Sequence, residues 1–251
     1  MSHHRSIFIS DIHLGTRGCQ AEAVTEFLKL NTCDNLYLVG DIVDGWRLNK
    51  RWYWPQSHSN VIRRILTHAK RDTKVYYLIG NHDEVLRTFL HFDLSLGRIK
   101  IKDDHVHITA DGKRYLVIHG DRFDDLMIKN KWMMLVGDNL YQFMIWLNLK
   151  MNGIRRLIGL RYWSLSKYLK ARTKQALNFI HGFEDQSSQY CERHGYDGLI
   201  CGHIHTAEIK WLNQIHYINT GDWVESLTYV TEDDQGNFEL HHYKHENLTD
   251  H

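Results

Sequence analysis

Val75-Tyr76-Tyr77-Leu78-Ile79-Gly80-Asn81-His82-Asp83 runs from an apolar pentapeptide straight into four residues able to turn, to cap or to coordinate. The apolar run reads as a buried strand and Glu84 to Phe92 as a helix. Asn81 and His82 are therefore expected at the carboxyl end of a strand, where open α/β sheets keep their ligands. Taken alone, the same residues make an ordinary strand-to-helix turn, with Gly80 supplying backbone freedom and Asn81 or Asp83 an N-cap. Repetition favours the first reading. Ser6–Ser10 leads into Asp11-Ile12-His13, Leu36–Val39 into Gly40-Asp41, Tyr115–Ile118 into His119-Gly120-Asp121, and Leu199–Cys201 into Gly202-His203-Ile204-His205. Five strand ends, each placing nitrogen or oxygen donors just past its last apolar residue, are hard to assign to turn chemistry.

Between these motifs strands and helices alternate. A helix is expected over Ala21–Leu30 and another over Ser57–Arg71, the latter approached through an aromatic loop, Asp44 to Pro55, that ends in the only proline. From about Ile99 the pattern shifts to hairpins: His105–Thr109 and Arg114–Ile118 flank Asp111-Gly112, a strong turn signal. Glu208–Leu212, Ile215–Asn219, Leu227–Thr231 and Phe238–Tyr243 follow around turns at Asn213 and Gln235-Gly236. Parallel βαβ units followed by antiparallel strands predict an α/β (α+β) fold of two packed mixed β-sheets flanked by helices.

At 251 residues and 43% hydrophobic, the chain suits one large domain or a domain with an insertion. A net charge of +1 argues against a nucleic-acid polycation. Cys19, Cys33, Cys191 and Cys201 form no CxxC pair, which points to a reducing compartment, and Cys201 reads as a buried strand residue. With the first motif at Asp11, no room precedes it for a signal peptide if Met1 is the true start, so a cytoplasmic location is expected. The near-neutral total hides an asymmetry. Residues 125–176 hold ten Lys/Arg against two acids, a net +8, leaving −7 on the rest. They also hold every methionine except Met1. The predicted division is a core of residues 1–124 and 177–251 with a helical lid insertion over 125–176; a helical insertion with its own small core and solvated charges is the plainer alternative. Asp138, Asn139, Gln142 and Asn148 break its most apolar run, against a transmembrane span. Its cations, Arg155, Arg156 and Arg161 among them, suit an anionic membrane surface met peripherally.

Asp11, His13, Asp41, Asn81, His119, His203 and His205 offer seven hard or borderline donors and no thiolate, which suits Mn²⁺, Zn²⁺ or Fe. Seven ligands are too many for one ion and divide well over two when one carboxylate bridges them. A pair of ions about 3.5–4 Å apart is the usual device for phosphoryl-ester hydrolysis by an activated water. His82 is placed to protonate the leaving oxygen, with Asp83 orienting it.

The set DIH, GDIVD, GNHD, HGD and GHIH, in this order, resembles the signature of the calcineurin-like metallophosphoesterases, and it is complete. Within that superfamily the chain is most similar to the bacterial UDP-2,3-diacylglucosamine hydrolases of lipid A synthesis, from SDIHLG at Ser10–Gly15 through the insertion after HGD to NTGDWVES at Asn219–Ser226. The resemblance implies an αββα sandwich and two divalent ions, Mn²⁺ first among them. It also implies one metal held by Asp11, His13, Asp41 and His205 and a second by Asp41, Asn81, His119 and His203. The implied substrate is a nucleotide-linked lipid, cleaved to UMP and lipid phosphate. One position departs, since that branch has arginine where this chain has His82. A phosphodiesterase or phosphatase acting on a soluble nucleotide or other phosphoester is the alternative, and a non-catalytic scaffold a third.

Other residues keep two readings each. Arg17 is placed to meet a phosphate or to stand as an exposed loop arginine. Trp46, Arg47, Trp52 and Trp54 either line a base- or acyl-binding wall or pack beneath the insertion. Asp121 either orients His119 or caps the next helix. His3 and His4 read as a disordered terminus, and His241, His242, His245 and His251 as surface residues.

Overall fold

The structure is a computed structural model that describes residues 2–92, 95–96, 98–124 and 174–244. In chain order the elements are β1 (Ser2–Ile9), α1 (Ala21–Leu30), β2 (Asn31–Val39), α2 (Gly45–Lys50), α3 (Gln56–Lys70), β3 (Lys74–Leu78), a 3-10 helix (Glu84–Phe92), β4 (Ser95–Leu96), β5 (Ile99–Lys102), β6 (Asp104–Ile108) and β7 (Arg114–Ile118). After α4 (Lys174–His194) come β8 (Gly198–Cys201), β9 (Glu208–Leu212), β10 (Ile215–Asn219), β11 (Thr228–Glu232) and β12 (Phe238–His242).

The strands form a seven-stranded sheet, β12-β11-β1-β2-β3-β5-β4, and a five-stranded sheet, β6-β7-β8-β10-β9. Both are mixed. β1, β2, β3 and β5 run parallel, as do β7, β8 and β10, while the outer strands are antiparallel. Side-chain alternation explains the layering. Phe8, Tyr37, Val39 and Leu78 face one way and join Tyr115, Val117, Ile200 and Ile218 in a core between the sheets. Their neighbours Ile7, Ile9, Leu36 and Leu38 face the other way, onto α1 and α3.

The helices answer that face with their own periodicity. Val24, Phe27 and Leu28 of α1 and Val61, Ile65 and Ala69 of α3 make buried stripes at three- and four-residue spacing. Fully burying a Val or Ile in this way stabilises by about 1.5–3 kcal/mol. α1 ends where Asn31 Nδ2 donates to Phe27 O at 2.9 Å. The mixed-sheet sandwich matches the fold class expected from the pattern.

Several details differ from expectation. His3 and His4 are not a loose terminus but part of β1: Ser2, His3 and His4 pair with Asn31, Thr32 and Cys33 of β2. Polar residues extend both strands because each supplies the other's backbone partners, which hydropathy cannot report. Part of the aromatic loop, Gly45–Lys50, is helical, capped by Asp44, whose Oδ1 accepts from Arg47 N at 2.8 Å. Glu84–Phe92 is a 3-10 helix. His241 stacks on Tyr229, with ring centroids 4.8 Å apart.

The chain divides into two compact units, Met1–Asp121 with Ser187–His251, and Arg122–Gln186. In the second, Phe123 and Phe183 meet edge-on, with centroids 5.8 Å apart. Residues 125–173, with Arg155, Arg156 and Arg161 and nearly all of the expected lid, lie outside the described residues, as do His245 and His251.

Candidate metal centre

The parallel register brings the motifs together. Ile9 pairs with Leu38, and Val39 with Leu78, so β1, β2 and β3 end level. The ladder then continues through the loops: Asp11 N donates to Gly40 O at 3.1 Å, His13 N to Asp41 O at 2.9 Å, and Gly202 N to His119 O at 3.0 Å. Close approach requires the motif glycines. A Cβ on Gly80 would overlap Asp41 Oδ1, and one on Gly40, whose φ is +79°, would overlap the His119 ring.

Eight non-glycine residues have left-handed backbone among the described residues, and five of them are Asp11, His13, Asp41, His203 and His205, with φ between 51° and 68°. That conformation costs on the order of 1–2 kcal/mol per residue. Its concentration on candidate ligands marks a site whose shape is held against local preference.

Three groups of side chains converge closely enough to hold an ion: Asp11, His13 and His205; His13, Asp41 and His82; and Asp11, Asp41 and His119. Asp41 Oδ2 lies 3.4 Å from His119 Nε2 and 3.8 Å from His13 Nε2. Asn81 Oδ1 is 3.2 Å from His119 Nε2. The His203 ring lies edge-on to His119, with centroids 5.0 Å apart, and its backbone N–H donates to Asp11 Oδ2 at 3.1 Å. All seven expected donors thus meet at one end of the parallel strands.

The chemistry of this donor set fits divalent cations. His119 Nδ1 is 3.0 Å from Val39 O, a pure acceptor, so that nitrogen carries a hydrogen. Its Nε2 then confronts Asp41 Oδ2 and Asn81 Oδ1, an arrangement that only a proton or a cation makes favourable. Asp11 Oδ1 is buried with no aligned hydrogen bond, although His205 Nε2 lies 3.1 Å away. Burial alone would raise the Asp11 and Asp41 carboxyls, but the His205 and His119 rings hold Asp11, and the His119 and His13 rings hold Asp41, below the ordinary range. Burial would likewise lower the imidazoles, yet Asp44, Asp41 and Asp11 raise His13 to about 9, and Asp41 and Asp11 raise His119 well above its usual value.

Two expected roles change. Asp83 does not face His82. Its buried carboxylate accepts from Tyr77 Oη at 2.6 Å, Ile42 N at 3.1 Å and Gly80 N, and so ties the loop to the neighbouring strand end. Burial, and behind it the Asp41 charge, raise its pKa. The group beside His82 is Asp44, with Oδ2 3.0 Å from His82 Nδ1 and 3.4 Å from His13 Nδ1. Asp121 does not orient His119 either: Arg87 holds it through Nη1 at 2.8 Å and Nη2 at 3.0 Å. Asp44 was legible only as the last residue of GDIVD. Asp222 was also missed; it lies 3.9 Å from His205 Nδ1 and accepts from the Val224, Glu225 and Ser226 amides.

The aromatic residues separate. Trp46 packs on His82 with centroids 4.5 Å apart, held by Nε1 donating to Glu84 Oε1 at 3.1 Å. Trp54 packs against the helix-side core, and Trp52 is exposed. Arg17 is exposed, over the Tyr53 ring at 5.5 Å, and Arg47 lies in α2.

The chain is 28% identical to a UDP-2,3-diacylglucosamine hydrolase of Psychromonas ingrahamii over 90% of its length and 92% of the relative's. It is 24% identical to the hydrolase of the same name from Aliivibrio fischeri, over 86% and 90%. An archaeal phosphodiesterase structure aligns at 12% identity over 94% of this chain and 98% of that one, with a TM-score of 0.43. The profile of the calcineurin-like phosphoesterases matches residues 4–207, most of the chain, and with it the five donor-bearing strand ends: the protein belongs to this family of metal-dependent hydrolases.

Proposed function

We propose that the protein hydrolyses the pyrophosphate of UDP-2,3-diacylglucosamine or a related nucleotide-linked lipid, water attacking one phosphorus and UMP leaving with the lipid phosphate as co-product. The observation that carries the reaction class is the gathering of seven oxygen and imidazole donors, Asp41 among them, at one end of the parallel strands. Likeness to hydrolases of that name over most of both chains supports the substrate. We assign one ion to Asp11, His13, Asp41 and His205 and the other to Asp41, Asn81, His119 and His203, with Mn²⁺ suited to a donor set without thiolate. When bound, the ions supply Lewis acidity at the phosphate oxygens and an acidic water.

His82 sits at the rim, its side chain 16% exposed, with Nε2 3.9 Å from Asp41 Oδ2. In our reading it carries the proton that the leaving oxygen takes up, while Asp44 stands 3.0 Å from Nδ1 without an aligned hydrogen bond and Trp46 packs on its face. Asp83 supports the loop that presents Asn81 and His82.

Residues 125–173 enter on composition alone: their basic and methionine-rich character supports peripheral contact with an anionic membrane on the cytoplasmic side, through cations such as Arg155, Arg156 and Arg161. Among the described residues no helix is long and apolar enough to cross a membrane.

Turnover of UDP-2,3-diacylglucosamine, short-acyl and acyl-free UDP-sugars and an aryl phosphodiester, with Mn²⁺ and after chelation, tests the proposal. Preference for the diacyl substrate that vanishes with chelator is expected. Equal turnover of acyl-free and diacyl substrates would replace the lipid-linked reading with a soluble phosphoester, the reading His82 favours. Chelator-insensitive turnover would overturn the metal assignment.

A further inference from the structure

A cleft of about 570 Å³ opens at the other end of the parallel strands. It lies between the starts of β1, β2 and β3 and the last turns of α1 and α3, whereas the candidate metal ligands follow the carboxyl ends of the same strands. With six to eight residues separating the two ends along each strand, the sites stand roughly 20–25 Å apart.

The cleft is basic within an acid-rich part of the chain. Lys29, Arg64, Arg71 and Lys74 line it, and none has a side-chain hydrogen bond or ion pair among the described residues. The acids on its walls are already engaged, since Asp34 lies 3.4 Å from His3 and Asp72 is paired with Arg98. Arg5, also on the wall, is held by Glu232. Cations near helix ends often serve the terminal carbonyls. Here neutral donors serve two carbonyls at each helix end: Asn31 Nδ2 caps Phe27 O, His68 Nε2 is 2.8 Å from Leu28 O, and the Arg71 backbone amide caps Thr67 O and His68 O. Burial lowers the pKa of His68, and the positive charges of Arg71 and Arg64 lower it further. Four cations, three of them exposed, therefore line one cavity without a side-chain partner among the described residues. Among the described residues no Phe, Tyr or Trp lines the cleft; its only rings are those of His3 and the buried His68. The Thr32 and Thr67 hydroxyls on its wall already donate to Ser2 O at 3.3 Å and Arg63 O at 2.7 Å, which leaves the cations as the recognising groups. The volume falls within the range of small-molecule sites, about 300–1,000 Å³.

We propose that this cleft binds a small compound carrying two or more phosphate groups, recognised through those phosphates by Lys29, Arg64, Arg71 and Lys74. A sugar bisphosphate and the headgroup of a phosphorylated lipid share that chemistry. The site is separate from the metal centre and does not depend on the substrate assigned there.

The test is calorimetric titration of the full-length, Mn²⁺-loaded protein with fructose 1,6-bisphosphate, and separately with a short-chain phosphatidylinositol 4,5-bisphosphate below its micelle concentration. Arg64→Glu with Arg71→Glu should weaken one binding event at least about ten-fold, the scale of losing a charge-assisted hydrogen bond. Hydrolysis of an aryl phosphodiester should not change. Asp41→Asn should keep the same event, which separates it from phosphate binding at the metal centre. If the reversal perturbs folding, Lys29→Ala with Lys74→Ala, both exposed, serves in its place. Binding of fructose 1,6-bisphosphate alone assigns a soluble ligand, and binding of the phosphoinositide alone assigns a lipid headgroup. Isotherms identical in wild type and cleft variants for both compounds, or no binding of either, overturn the proposal.

Discussion

Two buried clusters in this molecule mix carboxylates with imidazoles, and they are built on opposite principles. Between the sheets, Glu232 receives Arg5 at 2.7 and 2.8 Å, Ser6 Oγ at 2.6 Å, Ala110 N at 2.9 Å and His107 Nε2 at 2.8 Å, and His107 passes its other nitrogen to Tyr37 Oη at 2.9 Å. Every lone pair of that carboxylate has a donor, and the network joins β1, β6 and β11 across the two sheets. At the strand ends, Asp11, Asp41, Asn81 and His119 turn acceptors toward one another and leave Asp11 Oδ1 without an aligned donor. The first arrangement is complete and serves the fold. The second is completed by cations and serves chemistry.

The largest effect should come from breaking the second cluster at its centre. Asp41→Ala should reduce metal-dependent hydrolysis by about 10³-fold or more, beyond the loss of a single electrostatic contact, because no neighbour replaces a carboxylate common to both ion assignments. The fold should stay largely intact, with only a modest fall in thermal midpoint, since the hydrogen bond lost is the one from His82 N to Asp41 Oδ1 at 2.9 Å. Activity near the wild-type level at saturating Mn²⁺ would refute the two-ion assignment.

The rim of the same cluster should respond in a way that depends on the leaving group. His82→Ala is expected to slow turnover about 10²–10⁴-fold on poor leaving groups and much less on activated aryl esters. Asp44→Asn should follow the same pattern, and the double variant should be little worse than His82→Ala, because the two act through one ring. Asp83→Asn should instead lower the melting temperature, its carboxylate being spent on Tyr77, Ile42 and Gly80. A uniform loss across leaving groups would move His82 to phosphate binding.

The inter-sheet cluster should show the converse behaviour. Glu232→Gln leaves Arg5 and His107 without their anion, and breaking a buried pair typically costs about 3–5 kcal/mol. Denaturant midpoints should fall accordingly while kcat of the folded fraction holds. A stable but inactive Glu232→Gln protein would erase the distinction between the two clusters.

The smallest effect is a pH dependence. Burial would raise the Glu232 carboxyl, but His107 and Ser6 outweigh it and hold it below the ordinary glutamate value of 4.5. A carboxylate with depressed folded-state pKa stabilises above its unfolded pKa and loses that contribution as pH falls through the folded value. Unfolding free energy measured from pH 6 to pH 3 should therefore drop below about pH 4.5, and drop less in Glu232→Gln. Equal slopes would show that other carboxylates govern acid unfolding.

The local sequence was enough to determine where the donors stand. Each of Asp11, Asp41, Asn81, His119 and His203 follows an apolar run whose side chains must be buried, and a strand so defined delivers the next residues to one edge of a sheet. The stripes of α1 and α3 were legible for the same reason, because burial repeats at fixed spacing. Tertiary structure decided what depends on distance across the chain. Asp83 is adjacent to His82 yet turns to Ile42 and Tyr77, while Asp44, thirty-eight residues away, takes the place beside the ring. The polar starts of β1 and β2 become strands only because they pair with each other. Lys29, Arg64, Arg71 and Lys74 are scattered along the sequence, and the packing of α1, α3 and β3 brings them to the wall of one cleft. Charge and hydrogen-bond partnership are properties of neighbours in space, and a residue's own type and spacing do not contain them.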